Sequence, residues 1–375
     1  MTPGYYPPPL RAAIVGTGGI SRTHGRRIRD LGSSVVGICG RSVASAEGLA
    51  ADIGGGDVYT DVKEMLDRLR PDVLHVCSPH GHHAGQARAA IERGIHVVCE
   101  KPLATSADDA RAAMELAAGS NVHAAVCLTK RSYPMVAELR SRVMAGSIGT
   151  VVAVRGEYLS SDNCHDNYGW GFDKSIAGPS YATADLGLHW LDLVEHVTGT
   201  PIARVDARFS TTRPVRIRDG EEVAIDVEDY VRVFIELADG TPVSAVFSGV
   251  TPGQPNGCAI HVDGRDGGLD WRVDTPNQLG HRPPFGSTEI LDRDPPRLSA
   301  EAQRRSFAPA GHVEGFGDAF RNLFRDVYWS IAGTAVPYPD FVDGFRVATL
   351  IDAIRASAER GTAVEVPAPL ERHAR

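Results

Sequence analysis

A chain of 375 residues is longer than one hydrophobic core usually serves, so two domains are expected. Its 42% hydrophobic and 23% charged residues are those of an ordinary soluble protein, and a net charge of -8 argues against nucleic acid or an anionic membrane as the main partner. No apolar run approaches a membrane span, and residues 1–9, rich in proline, lack the basic and apolar regions of a signal peptide. They read as a flexible arm on a cytoplasmic protein. The six cysteines form no Cys-x-x-Cys pair, and Cys39, Cys77, Cys99 and Cys127 end or lie within apolar runs, as buried reduced thiols do.

After the arm, apolar runs at 11–15, 34–39, 72–77, 95–99 and 121–126 alternate with helix-length segments at 20–31, 43–53, 61–69, 83–93 and 106–118. Near-continuous apolar strands alternating with helices predict a parallel sheet covered on both faces. Ligands of such sheets sit outside the carboxyl ends of the strands. From about residue 150 the pattern changes. A helix at 134–145 is followed by alternating runs at 151–159, 203–211, 227–237, 243–250 and 259–263, read as antiparallel strands, with a hairpin turn at Ala238-Asp239-Gly240-Thr241. Residues 275–310, with six prolines, read as an irregular excursion. Helices at 313–331 and 341–360 close the chain, the second stopped by Gly361. The fold class is α/β: a parallel nucleotide-binding domain over 1–130, then an α+β domain over 131–375 with a large, mostly antiparallel open sheet.

Directly after the first strand comes Gly16-Thr17-Gly18-Gly19-Ile20-Ser21. The first Gly permits a tight turn, and the second lets backbone approach a pyrophosphate at a helix N-terminus. Ser21 replaces the third Gly, which relaxes helix–strand packing but keeps the phosphate site. A nicotinamide dinucleotide is the expected cofactor. The second strand ends in Gly40-Arg41-Ser42. Gly40 offers no carboxylate to repel a 2'-phosphate, Arg41 can pair with it and Ser42 can donate to it, so NADP is favoured over NAD.

Four motifs in order, Gly16-x-Gly18 with His24, Ser78-Pro79 with His83, Glu100-Lys101-Pro102, and Asp185-x-Gly187-x-His189-x-x-Asp192, resemble the Gfo/Idh/MocA family. The resemblance covers nearly the whole chain, and the stretches Val154 to Leu159 and Gly178 to Tyr181 are similar to its levoglucosan and inositol dehydrogenase branch. It implies a Rossmann domain, a second domain that binds substrate and makes the oligomer, and a substrate that is a sugar, a cyclitol or a derivative. It assigns Lys101 as the catalytic lysine and Asp185 and His189 as the acid–base pair. Glu100 and Pro102 set the nicotinamide end, and Ser78, Pro79 and His80 fall against the cofactor. Two departures stand out: His80, and Thr129-Lys130-Arg131 where the family has Asn-Tyr-Arg.

The chemistry follows independently. Oxidising a secondary alcohol needs a base near its hydroxyl and a hydride acceptor near its carbon. His189 has an imidazole whose ordinary pKa lies near neutrality. The Lys101 ammonium can stabilise developing alkoxide charge. Asp185, four residues before His189 on one helical face, can orient the ring or bind a neighbouring hydroxyl. Asp162 and Asp166, in the polar loop 160–168, together with Trp170 and His312, are further substrate-binding candidates. Asp192 and His196 continue the helical stripe, either as an extension of the active-site network or, the preferred reading, in capping or domain-contact roles. The His80/His82/His83 cluster has no supporting carboxylate or thiolate pattern, so no metal is expected.

The reading is an NAD(P)-dependent dehydrogenase of a sugar, cyclitol or glycoside. An amino sugar or aminoglycoside substrate is one alternative, and a glycosidase of the same fold that uses NAD without net redox change is another. A ligand sensor is disfavoured by the complete proton-transfer set. The alternating residues Val231, Val233 and Ile235 suggest an uncovered sheet face and a homodimer or homotetramer.

Overall fold

The computed structural model describes residues 6–371. The chain begins with β1 (Arg11–Val15), α1 (Gly19–Asp30), β2 (Ser34–Cys39), α2 (Val43–Ile53), β3 (Asp57–Tyr59), α3 (Val62–Leu69), β4 (Val73–Val76), α4 (His83–Ile91), β5 (His96–Cys99), α5 (Ala107–Ala118) and β6 (Ala124–Val126). It continues with α6 (Pro134–Met144), β7 (Val151–Leu159), α7 (Lys174–Ala177), α8 (Leu188–Thr198), β8 (Ile202–Ser210), β9 (Val215–Arg218), β10 (Glu221–Ala224), β11 (Tyr230–Leu237) and β12 (Pro242–Ser248). The last elements are β13 (Gly257–Gly264), β14 (Gly267–Arg272), β15 (Gln278–Arg282), β16 (Glu289–Asp292), α9 (Ala300–Arg305), α10 (Phe316–Ile331), α11 (Phe341–Arg360) and β17 (Val364–Glu365). No helix among the described residues is long and apolar enough to cross a membrane.

Two compact units result. One takes the chain as far as Thr129 together with Phe316–Ala348, and the other takes Lys130–Gly315 and the chain from Thr349 onward. The arm expected at 1–9 lies largely outside the described residues; of the remainder, Pro7 is buried.

In the first unit six parallel strands run in the order β3-β2-β1-β4-β5-β6, the doubly wound Rossmann arrangement. The central strands are buried throughout, which is why their sequences read as unbroken apolar runs. The return of Phe316–Ala348 to this unit differs from the expected assignment of all of 131–375 to the second domain. Its cause is an amphipathic face: Ala319, Phe320, Leu323, Phe324, Val327 and Tyr328 are buried on one side of α10, and Phe320 and Phe324 pack against His24 of α1.

The second unit holds a nine-stranded sheet in the order β16-β15-β14-β13-β7-β12-β11-β8-β17. All neighbours are antiparallel except β7 and β12, which run parallel. The mostly antiparallel sheet expected is the one observed; alternation alone does not encode pairing direction, and β7 and β12, both among the runs read as antiparallel, form its parallel pair. On β11, Val231, Val233 and Ile235 are buried while Arg232, Phe234 and Glu236 are exposed. The three apolar residues cover the unit's own interior and are not the uncovered face.

The excursion at 275–310 is more ordered than its prolines suggested, holding β15, β16 and α9. A buried ion pair between Arg293 and Glu314 anchors it at 3.0 Å, and Arg293 also donates to the carbonyls of Ala308, Pro309 and His312.

Candidate active site

In the first unit the glycine turn is shaped by what surrounds it. Gly16 has φ of 103°, and a Cβ there would meet the Cys77 carbonyl oxygen at 2.4 Å, so a larger residue is excluded. At Gly18 and Gly19 a Cβ would meet only open space, and Gly18 starts α1 with no side-chain cap. The first turn of α1 holds no acidic residue. Open access, uncapped backbone N–H groups and no carboxylate together fit the pyrophosphate of a dinucleotide. Thr17 is half-buried beside this turn, and Ile20 packs on the core, leaving its backbone for the ligand. Ser21 is fully buried, and the closest helix approach falls on Gly25, where a Cβ would lie 2.7 Å from Ile53.

At the end of β2, Arg41 is exposed. Ser42 caps α2 by accepting from the Ser45 amide at 3.3 Å, and Ser45 Oγ returns the contact by accepting from the Ser42 amide. A Cβ on Gly40 would lie 2.7 Å from Ser45 Oγ and 3.0 Å from Thr17 Cγ2. A side chain at that position would have to displace Ser45 Oγ and with it the capping contact to the Ser42 amide.

Beyond β4 and β5, Ser78 Oγ donates to Gln86 at 2.6 Å, and buried His80 lies with its ring 5.7 Å from that of His83. His83 is fully buried, with Nδ1 2.7 Å from the Pro102 carbonyl and Nε2 2.7 Å from the Ser78 carbonyl. Its ring therefore bridges the Ser78-Pro79 and Lys101-Pro102 turns. Burial pushes its pKa down against those two carbonyl contacts, and a neutral ring can donate to only one of them. Lys101 is half-buried and precedes a cis Pro102. Its amide donates to Glu100 Oε2 at 3.1 Å, and His24 Nε2 lies 3.0 Å from Glu100 Oε1. Burial alone would raise the Glu100 pKa, but the His24 hydrogen bond and charge, the Lys101 charge and the Lys101 amide outweigh it and hold the carboxyl below its ordinary value.

In the second unit Asp185 and His189 do not share a regular α-helical turn. Thr183–Gly187 is a π turn, bonded five residues back instead of four, and α8 continues from Leu188. His189 is buried and Asp185 half-buried. The segment lies flush on the sheet because glycines allow it. A Cβ on Gly187 would meet Phe247 at 2.6 Å, and one on Gly156 would meet Trp190 Nε1 at 2.5 Å, whose N–H donates to the Ala259 carbonyl. Glu228 Oε1 receives Ser180 Oγ, the Tyr181 and Thr183 amides and Thr183 Oγ1 at the start of the segment. Further along, Arg131 grips Asp192 through Nε and Nη2. Asp192 thus fastens the helix, and Arg131 gains a role that its position in a departed motif left open. His196 is held neutral by burial and by Arg131, Arg140 and Arg305.

The ring of Tyr158 lies 6.0 Å from His189, and buried Lys130 places Nζ 5.2 Å from the Tyr158 ring centre. Burial, followed by Cys258 and Asp185, holds the Tyr158 phenol well above its ordinary pKa. Burial and then Asp185 and Asp162 do the same for Tyr181, which accepts from Asn163. Both phenols thus feel the charge of the same two carboxylates, Asp185 and Asp162. Lys130 stands in the stretch that departs from the family's Asn-Tyr-Arg, and Tyr158 and Tyr181 stand in the two stretches similar to the levoglucosan and inositol dehydrogenase branch; the sequence alone assigns none of the three a role. Asp166 lies at an exposed position, paired with Arg213 at 2.8 Å. Trp170 is 47% exposed, and His312 is exposed with its carbonyl bound by Arg293.

Residues 10–127 match the oxidoreductase family with an NAD-binding Rossmann fold, and residues 136–270 match the GFO/IDH/MocA C-terminal domain. Levoglucosan dehydrogenase of Pseudarthrobacter phenanthrenivorans is 28% identical over 330 residues, 82% of this chain and 83% of that protein. Inositol 2-dehydrogenase 4 of Saccharopolyspora erythraea is 28% identical over 278 residues, 69% and 78% of the two chains. Among solved structures, levoglucosan dehydrogenase in complex with NADH and levoglucosan has a TM-score of 0.90 at 25% identity, covering 96% of this chain and all (100%) of that one. An oxidoreductase domain protein from Kribbella flavida gives 0.88 at 28% identity, with coverage of 96% and 100%. The protein belongs to the Gfo/Idh/MocA oxidoreductases and joins an NAD-binding Rossmann domain to that family's C-terminal domain.

Proposed function

We propose that this oxidoreductase interconverts a secondary hydroxyl and a ketone on a sugar, cyclitol or glycoside, with Lys101, Asp185 and His189 as its proton-transfer residues. The observation that carries the reading is Lys101 directly following a buried, pKa-lowered Glu100 at the carboxyl edge of an NAD-binding sheet. Relatives named for levoglucosan and inositol support the substrate class. The nicotinamide coenzyme, when bound, supplies the hydride exchange. Lys101 donates a hydrogen bond to the substrate oxygen and stabilises it as charge develops. His189 exchanges the hydroxyl proton, and Asp185 binds a neighbouring hydroxyl or orients the ring. Asp162 supplies a further acceptor for a polyol. Asp166 is already paired with Arg213, which leaves Asp162 alone of the two loop carboxylates to meet an amine, so a neutral polyol is preferred over an amino sugar.

The test is coenzyme reduction with a panel of polyols, anhydrosugars and aminoglycosides, in parallel with aglycone release. Net reduction that falls by about two to four orders of magnitude in Lys101→Ala and His189→Ala supports the reading. Wild-type turnover in either folded variant removes that residue from the chemistry, and aglycone release without net reduction identifies a glycosidase instead.

For the coenzyme we favour NADP, held by Arg41. Arg41→Ala should weaken NADP by roughly tenfold to a hundredfold and leave NAD nearly unchanged. Equal loss for both makes Arg41 a surface residue. Gly40→Asp is a poor probe, because the new Cβ collides with Ser45. The protein is further proposed to form a homodimer or homotetramer through the sheet face bearing Phe234, which is 70% exposed, and not through Val233. Sedimentation as a monomer at micromolar concentration would refute that.

A further inference from the structure

Four buried side chains of the first unit form one continuous hydrogen-bonded chain. Tyr328 Oη of α10 lies 2.8 Å from His75 Nε2 of β4; His75 Nδ1 lies 2.9 Å from His24 Nδ1 of α1; His24 Nε2 lies 3.0 Å from Glu100 Oε1. Glu100 Oε2 then accepts the Lys101 amide. His24, His75 and Tyr328 are fully buried, so water does not compete for these contacts. Deepening the proposed function, on whose assignment of Lys101 it rests, we infer that Tyr328, His75 and His24 are positioning residues for Lys101, acting through Glu100 by way of one exchangeable proton shared by the two histidines.

The proton count follows from the contacts. Two facing Nδ1 atoms at hydrogen-bond distance need one proton between them. In both states His24 Nε2–H donates to the Glu100 carboxylate. With the extra proton, His24 is an imidazolium whose Nδ1–H donates to His75 Nδ1, and His75 Nε2–H donates to the Tyr328 oxygen. Without it, the other two contacts reverse: Tyr328 O–H donates to His75 Nε2, and His75 Nδ1–H donates to His24 Nδ1. The states differ by one proton, and the His24–Glu100 pair changes from neutral to singly negative beside Lys101. The negative state favours the Lys101 ammonium, and the neutral state eases its proton loss.

The surroundings suit this use. Burial and then His24 hold His75 well below the ordinary histidine pKa, and burial raises the Tyr328 phenol, so neither end ionises on its own. The other titratable groups near Glu100 are Cys77 after β4, Cys99 of β5, Cys127 after β6 and His83 of α4; burial pushes the three thiols far up and His83 down. Asp72 bears on Tyr328 at the far end of the chain. His24, Glu100 and Cys127 also bring ligand-type atoms within 4.8 Å of one another. A cation there would have to displace the proton that His24 Nε2 directs at the carboxylate.

Nitrogen-15 spectra of histidine-labelled free enzyme test the chain without any substrate. His24 and His75 should together take up one proton in a single step and no more, with His24 Nε2 protonated throughout. Two independent titrations to imidazolium would overturn the relay. His75→Phe removes the acceptor for a protonated His24 Nδ1, so the pair stays negative. The pH limb assigned to Lys101 should rise by about one unit and kcat should fall about tenfold, with the coenzyme KM unchanged. Tyr328→Phe, which keeps the ring in its aromatic cluster, serves if His75→Phe does not fold and should shift the same limb. An unmoved pH profile in a folded variant, whatever its thermal stability, would leave these residues merely structural. A Lys101→Ala enzyme that remains active sinks the proposed function, while the nitrogen spectra still decide the relay.

Discussion

Glu100 of the first unit and Glu228 of the second are both buried, and each bonds a segment of its own unit that carries a proposed site residue, yet their carboxyls shift in opposite directions. Burial raises both. Glu228 answers it with neutral hydroxyl and amide donors crowded on one oxygen, while Oε2 is buried with no hydrogen-bond partner, and the net shift is upward. Glu100 answers with His24 and the charge of Lys101, and the net shift is downward. Several neutral donors on one oxygen do less for a buried anion than one histidine and one nearby ammonium. The first unit therefore keeps a charge beside its reactive turn. The second uses a carboxyl as a staple whose charge is a cost.

The larger effect of that contrast is expected at Glu100. Glu100→Gln breaks a charge-assisted contact with His24 and removes the anion beside Lys101. Stability at neutral pH should fall by about 2 kcal/mol, read from denaturant unfolding. Because the folded pKa of Glu100 is lowered, its contribution is present above the unfolded carboxylate pKa and lost as pH falls through the folded value. The gap between wild type and variant should therefore narrow in acid. A gap constant with pH would mean that Glu100 is not stabilised as an anion.

Sequence reading reached the two units unequally, for physical reasons. In the first unit each central strand is buried on both faces, so apolar runs and helix periods mark the elements directly; α2 spans the residues expected, and only the three-residue edge strand β3 escaped. In the second, the alternation on β11 is plain, but which face meets the interior depends on packing, and Val231, Val233 and Ile235 point inward. Lys101, Asp185 and His189 stand out in the sequence as candidates because each sits in a short motif. His75 is one polar residue in an apolar strand, and its partner Tyr328 is 253 positions away, so no local pattern joins them. Lys130 was equally hidden, since its tyrosine neighbour on β7 is met only after folding.

The smaller effect is expected at Glu228, and its sign is opposite. A carboxyl whose folded pKa is raised binds its proton more tightly in the native state. Between the ordinary and raised pKa the native chain therefore holds more protons than the unfolded one, and stability falls as pH rises. Glutamine imitates the protonated acid: its carbonyl can still accept from Ser180, Tyr181 and Thr183, and it carries no charge to bury. Glu228→Gln should accordingly match wild type in acid and exceed it by about 1 kcal/mol above the raised pKa, measured by urea unfolding at a series of pH values. If instead the variant is the less stable at neutral pH by a similar amount, the donors around Oε1 favour the anion. The two glutamates would then differ in position alone, and the contrast between a retained charge and a neutral staple would fail.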